Sequence, residues 1–444
     1  MKARFFYMLF LSIQSAAVMC QTDKQDNAWT LKECIRYALE QNIQVRKSDL
    51  TNESNRVNIE YTKAQRLPSL NASVHQNLGW SNIEDAGSGE SSFRGSNSTN
   101  YSVSSNIPIY KGFSLNNQIK QAELNFEGGR YNSETIKESV ILNILDAFLQ
   151  VLFARENVNN SEKQVESTVE QLNLAQERLN LSIISKSDYL QVKSQLASEK
   201  LTFAEAQKQL AIARVDLMQL MELPVTENFT ITRPDSANFM NELRSPDVQS
   251  IYSTALSIKP QIKNAAINKE SVALEEKIAR SGYFPELSMS ASLGTGYSSL
   301  TGDMPYFGQL NDKINPSLGL TLSIPVFRNK QVKTSISNAR IGIQDAELSE
   351  IETRNQLRKE IEQACQNVTS AQIDYEASQE QFQATQESYA LAAEKFEQGL
   401  INSVDYLFEK TNLIIAESQL LQAKYSLIFS YKVLDFYTGV PLTL

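Results

Sequence analysis

The feature that most constrains this chain is that it is written twice. Displaced by 217 positions, the separation of Asp188 from Asp405, the sequence lies over itself without a gap. Pro68 and Leu70 then meet Pro285 and Leu287, Ile107-Pro-Ile-Tyr-Lys111 meets Ile324-Pro-Val-Phe-Arg328, Tyr189 meets Tyr406, and Pro224 meets Pro441. Widely spaced motifs sharing one offset mark an internal duplication, so the chain folds as two copies of one supersecondary unit. Residues 224–247 carry three prolines and no helical period, which predicts a linker. The first repeat is then 21–223 and the second 248–444, each reading helix, strand, polar loop, strand, very long helix, tight turn, long helix.

The predicted strands of the first copy are 67–80 and 100–110. Leu70, Ala72, Val74, Leu78 and Trp80 fall on one face, and Asn71, Ser73, His75, Asn77 and Gly79 on the other. Tyr101, Val103, Ile107 and Ile109 oppose Ser102, Ser104 and Asn106. The second copy, over 285–297 and 316–327, keeps the phase. Leu287, Met289, Ala291, Leu293 and Tyr297 oppose serines and Gly294, and Leu318, Leu320, Leu322, Ile324 and Val326 oppose Ser317, Gly319, Thr321 and Ser323. A period of two with one apolar face is a half-buried strand. Here the polar face is small and uncharged and aromatics sit near strand ends, the pattern of outer-membrane barrel strands with lipid outside and water inside. Soluble sandwich strands are the alternative that the strands alone leave open. His75 belongs to the polar face, a lumen-facing residue rather than a metal ligand. The segments SNIEDAGSGESSFRGSNSTN and SSLTGDMPYFGQLNDKIN read as long loops between paired strands.

The hairpins, expected over 113–222 and 330–438, carry heptads. Val151, Val158, Val165, Leu172 and Leu179 are copied as Val368, Tyr375, Phe382, Tyr389 and Phe396. Small companions Ala154, Ser161, Thr168 and Ala175 recur in type and order as Ala371, Ser378, Thr385 and Ala392. Seven-residue spacing predicts supercoiled helices, and small residues beside the large ones permit close contact with several neighbours. A helix over 113–179 would span roughly 100 Å at 1.5 Å per residue, far too long for a globular core. The unit is a rod or a tube; a solvated antiparallel coiled coil without a lumen is the alternative reading of the helices.

Composition narrows the function. Past the N-terminus no apolar run approaches the ~18–20 residues of a spanning helix. A single histidine and three cysteines exclude most zinc, haem and iron–sulfur designs, so no metal and no cofactor is expected. Net charge −9 argues against a nucleic-acid partner. There is no phosphate loop, nucleophile elbow or HExxH motif, so no catalytic residue and no enzyme is expected. Lys2, Arg4, the apolar run Phe5–Ile13 and small Ser15, Ala16 and Ala17 have the layout of a secretory signal peptide over 1–20. Cys20 opens a second reading, a lipid-anchored cysteine. Cys34 and Cys365 read as small, semi-buried residues.

Four membrane-type strands cannot close a barrel, since single-chain barrels begin at about eight and lipid tolerates no open sheet edge. Two chains would give a barrel filled by its own side chains; three would give twelve strands and room for water. The small polar face favours three.

From about Trp29 to Pro441 the sequence resembles the TolC-type outer-membrane efflux family. The resemblance is carried by TLKECIRYALEQNIQV, by RLPSLNAS and YFPELSMS, by the two IP-[IV]-[YF]-[KR] strand exits, and by the turns RLNLSIISKSDYL and KFEQGLINSVDYL. It implies a mainly α chain with a membrane β part, forming a homotrimeric twelve-stranded β-barrel in outer-membrane lipid, continuous with a periplasmic α-helical barrel. It implies passive export of small molecules or polypeptides, driven by an inner-membrane pump of resistance-nodulation-division or ABC type through a periplasmic adaptor. The alternative is an envelope-spanning adaptor or scaffold without a pore. The resemblance places Gly399 and Leu400, with Ser182 and Ile183 as repeat-one counterparts, at adaptor-facing tips. Asp405 matches the main constriction aspartate and Asp188 is its counterpart. The second constriction aspartate falls at Phe408, with Glu409 next, and its basic partner at Ile401. An ionic lock is therefore missing, and closure is expected from Phe396 and Phe408. Three equivalent carboxylates near a threefold axis would raise one another's pKa and favour cations. The competing expectation is that Asp188 and Asp405 cap the following helix, sharing that role with Ser187 and Ser403.

Overall fold

A computed structural model describes residues 28–84, 91–224, 229–232, 246–301 and 304–442. The expected leader 1–20, Cys20 and most of the expected linker lie outside the described residues. In chain order the elements are α1 (Leu31–Gln41), α2 (Ile43–Ala64), β1 (Ser69–Glu84), β2 (Ser91–Lys111), α3 (Ser114–Asn180), α4 (Lys186–Leu220), α5 (Val248–Ile258), α6 (Pro260–Ser281), β3 (Glu286–Ser298), α7 (Tyr306–Asp312), β4 (Asn315–Ser323), α8 (Gln331–Glu397) and α9 (Ser403–Thr438).

The helix expected before each first strand is two helices. Asn42 breaks the first pair, its side chain accepting from the N–H groups of Gln44 and Val45 at 2.9 and 3.4 Å to start α2. Pro260 at the head of α6 breaks the second. Each repeat then turns from its second strand region into a 67-residue helix through left-handed backbone at matching positions, Gly112 and Phe113 in one and Asn329 and Lys330 in the other.

The four strands form one antiparallel sheet in sequence order. Val74 lies opposite Tyr101, Val103 opposite Leu293, Ala291 opposite Leu318 and Met289 opposite Leu320. Because side chains alternate across a strand, these pairings gather the apolar residues of all four strands on one face. On the other face the hydroxyls of Ser73 and Ser102, and of Ser292 and Ser317, meet at 2.7 Å. Leu70, Leu78, Leu293, Leu318, Leu320 and Leu322 are exposed in the single chain, so the apolar face is uncovered at these positions.

The sheet corrects four expectations. β1 runs on to Glu84 and β2 starts at Ser91, so most of the supposed first loop is ladder, with Asn82 opposite Phe93. A polar Ser/Asn/Gly stretch extends as strand here because its backbone groups pair with a partner already in register. β4 ends at Ser323, leaving Ile324 and Val326 outside it. A bulge between Pro108 and Tyr110 gives Tyr110, not Ile109, the place opposite Leu287. Proline lacks the N–H that a regular ladder needs, and a bulge accommodates it. Finally, the second loop contains helix α7.

Two apolar clusters hold the helices. One packs Ile144, Phe148, Leu152, Leu217 and Met218 with residues of α1 and with Phe229 and Ile231; the other packs Leu357, Ile361, Val368 and Leu434 with α5. Ile144 and Ile361, Val151 and Val368, and Leu217 and Leu434 are pairs under the 217-residue offset that relates Asp188 to Asp405, so each copy builds its core from the same positions. The segment leading into α1 is stitched to the linker by Trp29, whose N–H donates to Thr230 O and whose carbonyl accepts from Thr232 N–H, both at 2.9 Å. Cys34 and Cys365 are buried and free, and burial pushes the Cys34 thiol up to about 12. Further along α3, Ala154, Ser161, Thr168 and Ala175 are buried beneath the neighbouring helices.

Candidate functional site at the helical tips

The two hairpin tips close with the same turn. At the first, Ser182 N–H donates to Leu179 O at 3.0 Å and Ile183 N–H to Arg178 O at 2.9 Å; at the second, Gly399 N–H donates to Phe396 O at 3.1 Å and Leu400 N–H to Lys395 O at 2.8 Å. This pairing needs a left-handed residue at the turn, and Ser182 has φ 57° where Gly399 has 74°. Serine thus takes, at a steric cost, the conformation glycine takes freely. Ile183 and Leu400 project outward, 66% and 68% exposed. The two tips therefore present matching apolar points.

The residues just after each turn behave differently from their counterparts. Ser185 is the N-cap of α4, accepting from Asp188 N–H at 3.1 Å, while the Asp188 carboxylate accepts from Ser185 N–H at 3.1 Å and from its hydroxyl at 2.7 Å. This is a capping box. At α9 the N-cap is Asn402, accepting from Asp405 N–H at 2.9 Å. Neither Ser187 nor Ser403 is the cap. Ser403 is buried and turned across the gap, its hydroxyl donating to Asp188 Oδ1 at 2.8 Å. Asp188 is therefore one of the residues through which one tip holds the other, and Gln191, whose Oε1 lies 3.2 Å from the same hydroxyl, is another. The Ser185 hydroxyl first, and then that of Ser403, hold its carboxyl below the usual aspartate range. Asp405 is exposed, as is Phe408, and three positions apart on a helix they share a face.

Phe396 faces elsewhere. Its ring stacks on Tyr406 at 4.7 Å and 14°, and Arg178 lies 5.9 Å from its centroid. Tyr406 in turn meets the Tyr389 hydroxyl at 2.9 Å and accepts from Gln171 Nε2 at 2.5 Å; burial, then that tyrosine contact, raises its pKa. Asp188, Arg178, Phe396, Ser403 and Tyr406 line a cleft of about 250 Å³ between the tips. Within one chain, then, Asp188, Ser403 and Phe396 come together, whereas Asp405 and Phe408 share the exposed face of α9.

A second link between hairpins escaped the sequence reading. Lys410 of α9 and Glu199 of α4 are buried 3.2 Å apart. Thr168 of α3 accepts from Lys410 and donates to Glu199, and Gln195 Nε2 donates to Glu199 at 3.0 Å. Burial lowers the Lys410 pKa, opposed by the Glu199 charge. The signal was present in the repeat: the position of Glu199 corresponds to Ala416, buried in the second copy, and a carboxylate at a core position demands a partner.

Comparison with known proteins fits this architecture. The outer membrane efflux protein family model matches twice, over residues 34–222 and 251–440. The chain is 24% identical over 210 residues to the pyoverdine export outer membrane protein OpmQ of Pseudomonas aeruginosa, covering 47% of this chain and 41% of that protein, so the match spans less than half of that relative's length. It is 22% identical over 414 residues to the alkaline protease secretion protein AprF of the same organism, covering 91% of this chain and 83% of AprF. The fold matches the Campylobacter jejuni CmeC outer membrane channel with a TM-score of 0.75 at 18% identity, covering 99% of this chain and 94% of that one.

Proposed function

Since the chain belongs to the outer membrane efflux protein family, an outer-membrane transport family rather than an enzymatic one, we propose that it is the exit duct of a tripartite efflux or type I secretion system. Three copies pool their strands into a twelve-stranded barrel, and their helices form a coaxial periplasmic tube. Small toxic molecules or polypeptides pass through passively. A resistance-nodulation-division or ABC pump in the inner membrane supplies the energy, and a periplasmic adaptor seats on the tips at Ser182, Ile183, Gly399 and Leu400.

The observation that carries this reading is the sheet. One face is apolar and mostly uncovered, the other is lined with hydroxyls, and each repeat follows its strands with a 67-residue helix, about 100 Å long at 1.5 Å per residue. In lipid such a sheet needs its edges closed, which the four strands among the described residues do not provide. Asp405 and Phe408, sharing the exposed face of α9, line the narrow periplasmic neck, where a ring of carboxylates favours cations; Asp188 and Phe396 brace that neck from behind.

Single-channel recording in planar bilayers tests this. The protein is expected to give a cation-preferring conductance, with Asp405→Ala weakening the preference and Phe408→Ser raising the conductance. Unchanged conductance and selectivity in both variants would show the neck to be elsewhere; no conductance at all in the native protein would remove the duct.

A further inference from the structure

The segment between β3 and β4 does not simply leave the sheet at its rim. Tyr306–Asp312 fold back as α7 onto the sheet's apolar face. The Tyr306 ring lies 4.7 Å from that of Tyr297, its hydroxyl 2.8 Å from that of Tyr101, and the Thr295 hydroxyl donates to Leu310 O. Tyr101 pairs with Thr295 and Thr99 with Tyr297, in step with Val103 opposite Leu293, so all these residues stand on the leucine-bearing side.

Gln309, buried, holds α7 in place. Its Nε2 donates to Ser298 O and Met304 O at 3.1 and 3.0 Å, while its Oε1 accepts from Ser298 N–H at 3.0 Å and from Lys313 at 2.8 Å. A side-chain amide with donor and acceptor both engaged marks a built element, because burying it unpaired would be costly.

The outward surface of this element carries exposed apolar side chains, with the polar Asn311 and Asp312 exposed at its C-terminal end. Phe307 is 81% exposed, and Leu300, Met304 and Ile314 are each about half exposed. Scattered exposed apolar residues are ordinary, but a cluster continuous with a larger apolar face marks an interaction surface. Its height identifies the partner. Along β3 the face runs Leu293, Thr295, Tyr297, and along β2 it runs Val103, Tyr101, Thr99. Aliphatic gives way to aromatic and hydroxyl directly under α7. Such a change marks the level where acyl chains meet headgroups, the place of the aromatic girdles.

We propose that α7 and its flanks are an interfacial anchor, lying in the headgroup–acyl boundary of the outer leaflet with Phe307 as its inserted side chain. The occupant of this surface is lipid. The inference rests on reading the leucine face of the sheet as lipid-facing, and its mode is that of helices that lie in an interface with their apolar side inserted.

The test uses full-length protein in which Trp29 and Trp80 are changed to Phe and one tryptophan is introduced, by Phe307→Trp or by Leu320→Trp at mid-strand. Each protein is reconstituted into phosphatidylcholine vesicles brominated either near the headgroup or near the acyl terminus. The Leu320→Trp protein is expected to lose emission chiefly to the deep bromines and the Phe307→Trp protein chiefly to the shallow ones, with acrylamide in the water quenching neither strongly. If Phe307→Trp is quenched by acrylamide and not by bromine while Leu320→Trp behaves as expected, the anchor is overturned and the lipid-facing sheet stands. If bromine quenches neither, the lipid-facing sheet falls and the anchor with it. A second variant, Phe307→Cys in the otherwise native chain, guards against misassembly of the tryptophan proteins. On intact cells it should resist a membrane-impermeant maleimide, and rapid labelling overturns the anchor.

Discussion

Replacing Lys410 with methionine tests how the two hairpins of one chain are held together. Lys410 and Glu199 are 3.2 Å apart with side chains 5% and 6% exposed, and Thr168 bridges them. Methionine keeps most of the apolar stem and deletes the charge, so Glu199 would remain buried with only Thr168 and Gln195 as partners. Removing one member of a buried pair costs about 3–5 kcal/mol, chiefly through the charge left behind. At about 1.4 kcal/mol per tenfold change, local opening should rise by roughly two to three and a half powers of ten. The assay is amide hydrogen exchange on detergent-solubilised protein, following α9 around Lys410 and α4 around Glu199, since exchange there reports local opening. The double variant Lys410→Met with Glu199→Leu should recover most of the loss, because an apolar pair of similar volume is close to neutral or stabilising. Exchange in the single variant no faster than in the native protein, or no recovery in the double, would refute the reasoning.

Four further outcomes follow from named contacts. Ser182→Gly should strengthen the first tip by about 1 kcal/mol by removing left-handed strain, and Gly399→Ala, where an added Cβ meets nothing within 4 Å, should weaken the second by a similar amount; slower and faster exchange of the Ile183 and Leu400 amides would show it. Ser185→Ala should cost about 1 kcal/mol as a lost N-cap, read as faster exchange in the first turn of α4. The Asp188 carboxyl is held below its unfolded pKa by Ser185 and Ser403. Its contribution is therefore present above the ordinary aspartate pKa of about 3.9 and is lost as pH falls through the lower folded value. Protection of the first turn of α4 should drop in that acidic window, and Asp188→Asn should abolish the pH dependence. Leu320→Arg should cost about 2–4 kcal/mol if residue 320 lies near the bilayer midplane, seen as a smaller assembled fraction in outer-membrane extracts.

The elements that could be read from the chain were those fixed by local periodicity. The heptad from Val151 to Leu179 marked the second part of a helix expected over 113–179, and α3 runs from Ser114 to Asn180; seven-residue spacing of apolar side chains is decided within the helix itself. The alternation around Leu318 and Leu320 put these residues on one face, which they share with Ala291 and Met289, because one phase serves a whole strand. What escaped depended on distant partners. Nothing local marks Ser91–Asn100 as strand; those residues extend because Glu84 back to His75 pair with them. The slip at Ile109 follows from a proline meeting a ladder. α7 exists because Gln309 and Tyr306 find partners on β2 and β3. At the tips, the residue types for capping were visible, but the choice of Ser185 and Asn402 over Ser187 and Ser403 depends on where the chain enters each helix, and the bond from Ser403 to Asp188 on how the hairpins lie together.

Counting chains per channel tests the account most directly. Native mass spectrometry of protein extracted from outer membranes in detergent should give one dominant species of three mature chains, stable to mild heating. A uniform monomer or dimer that still conducts in bilayers would contradict the proposal that three four-stranded sheets join around one water-filled passage.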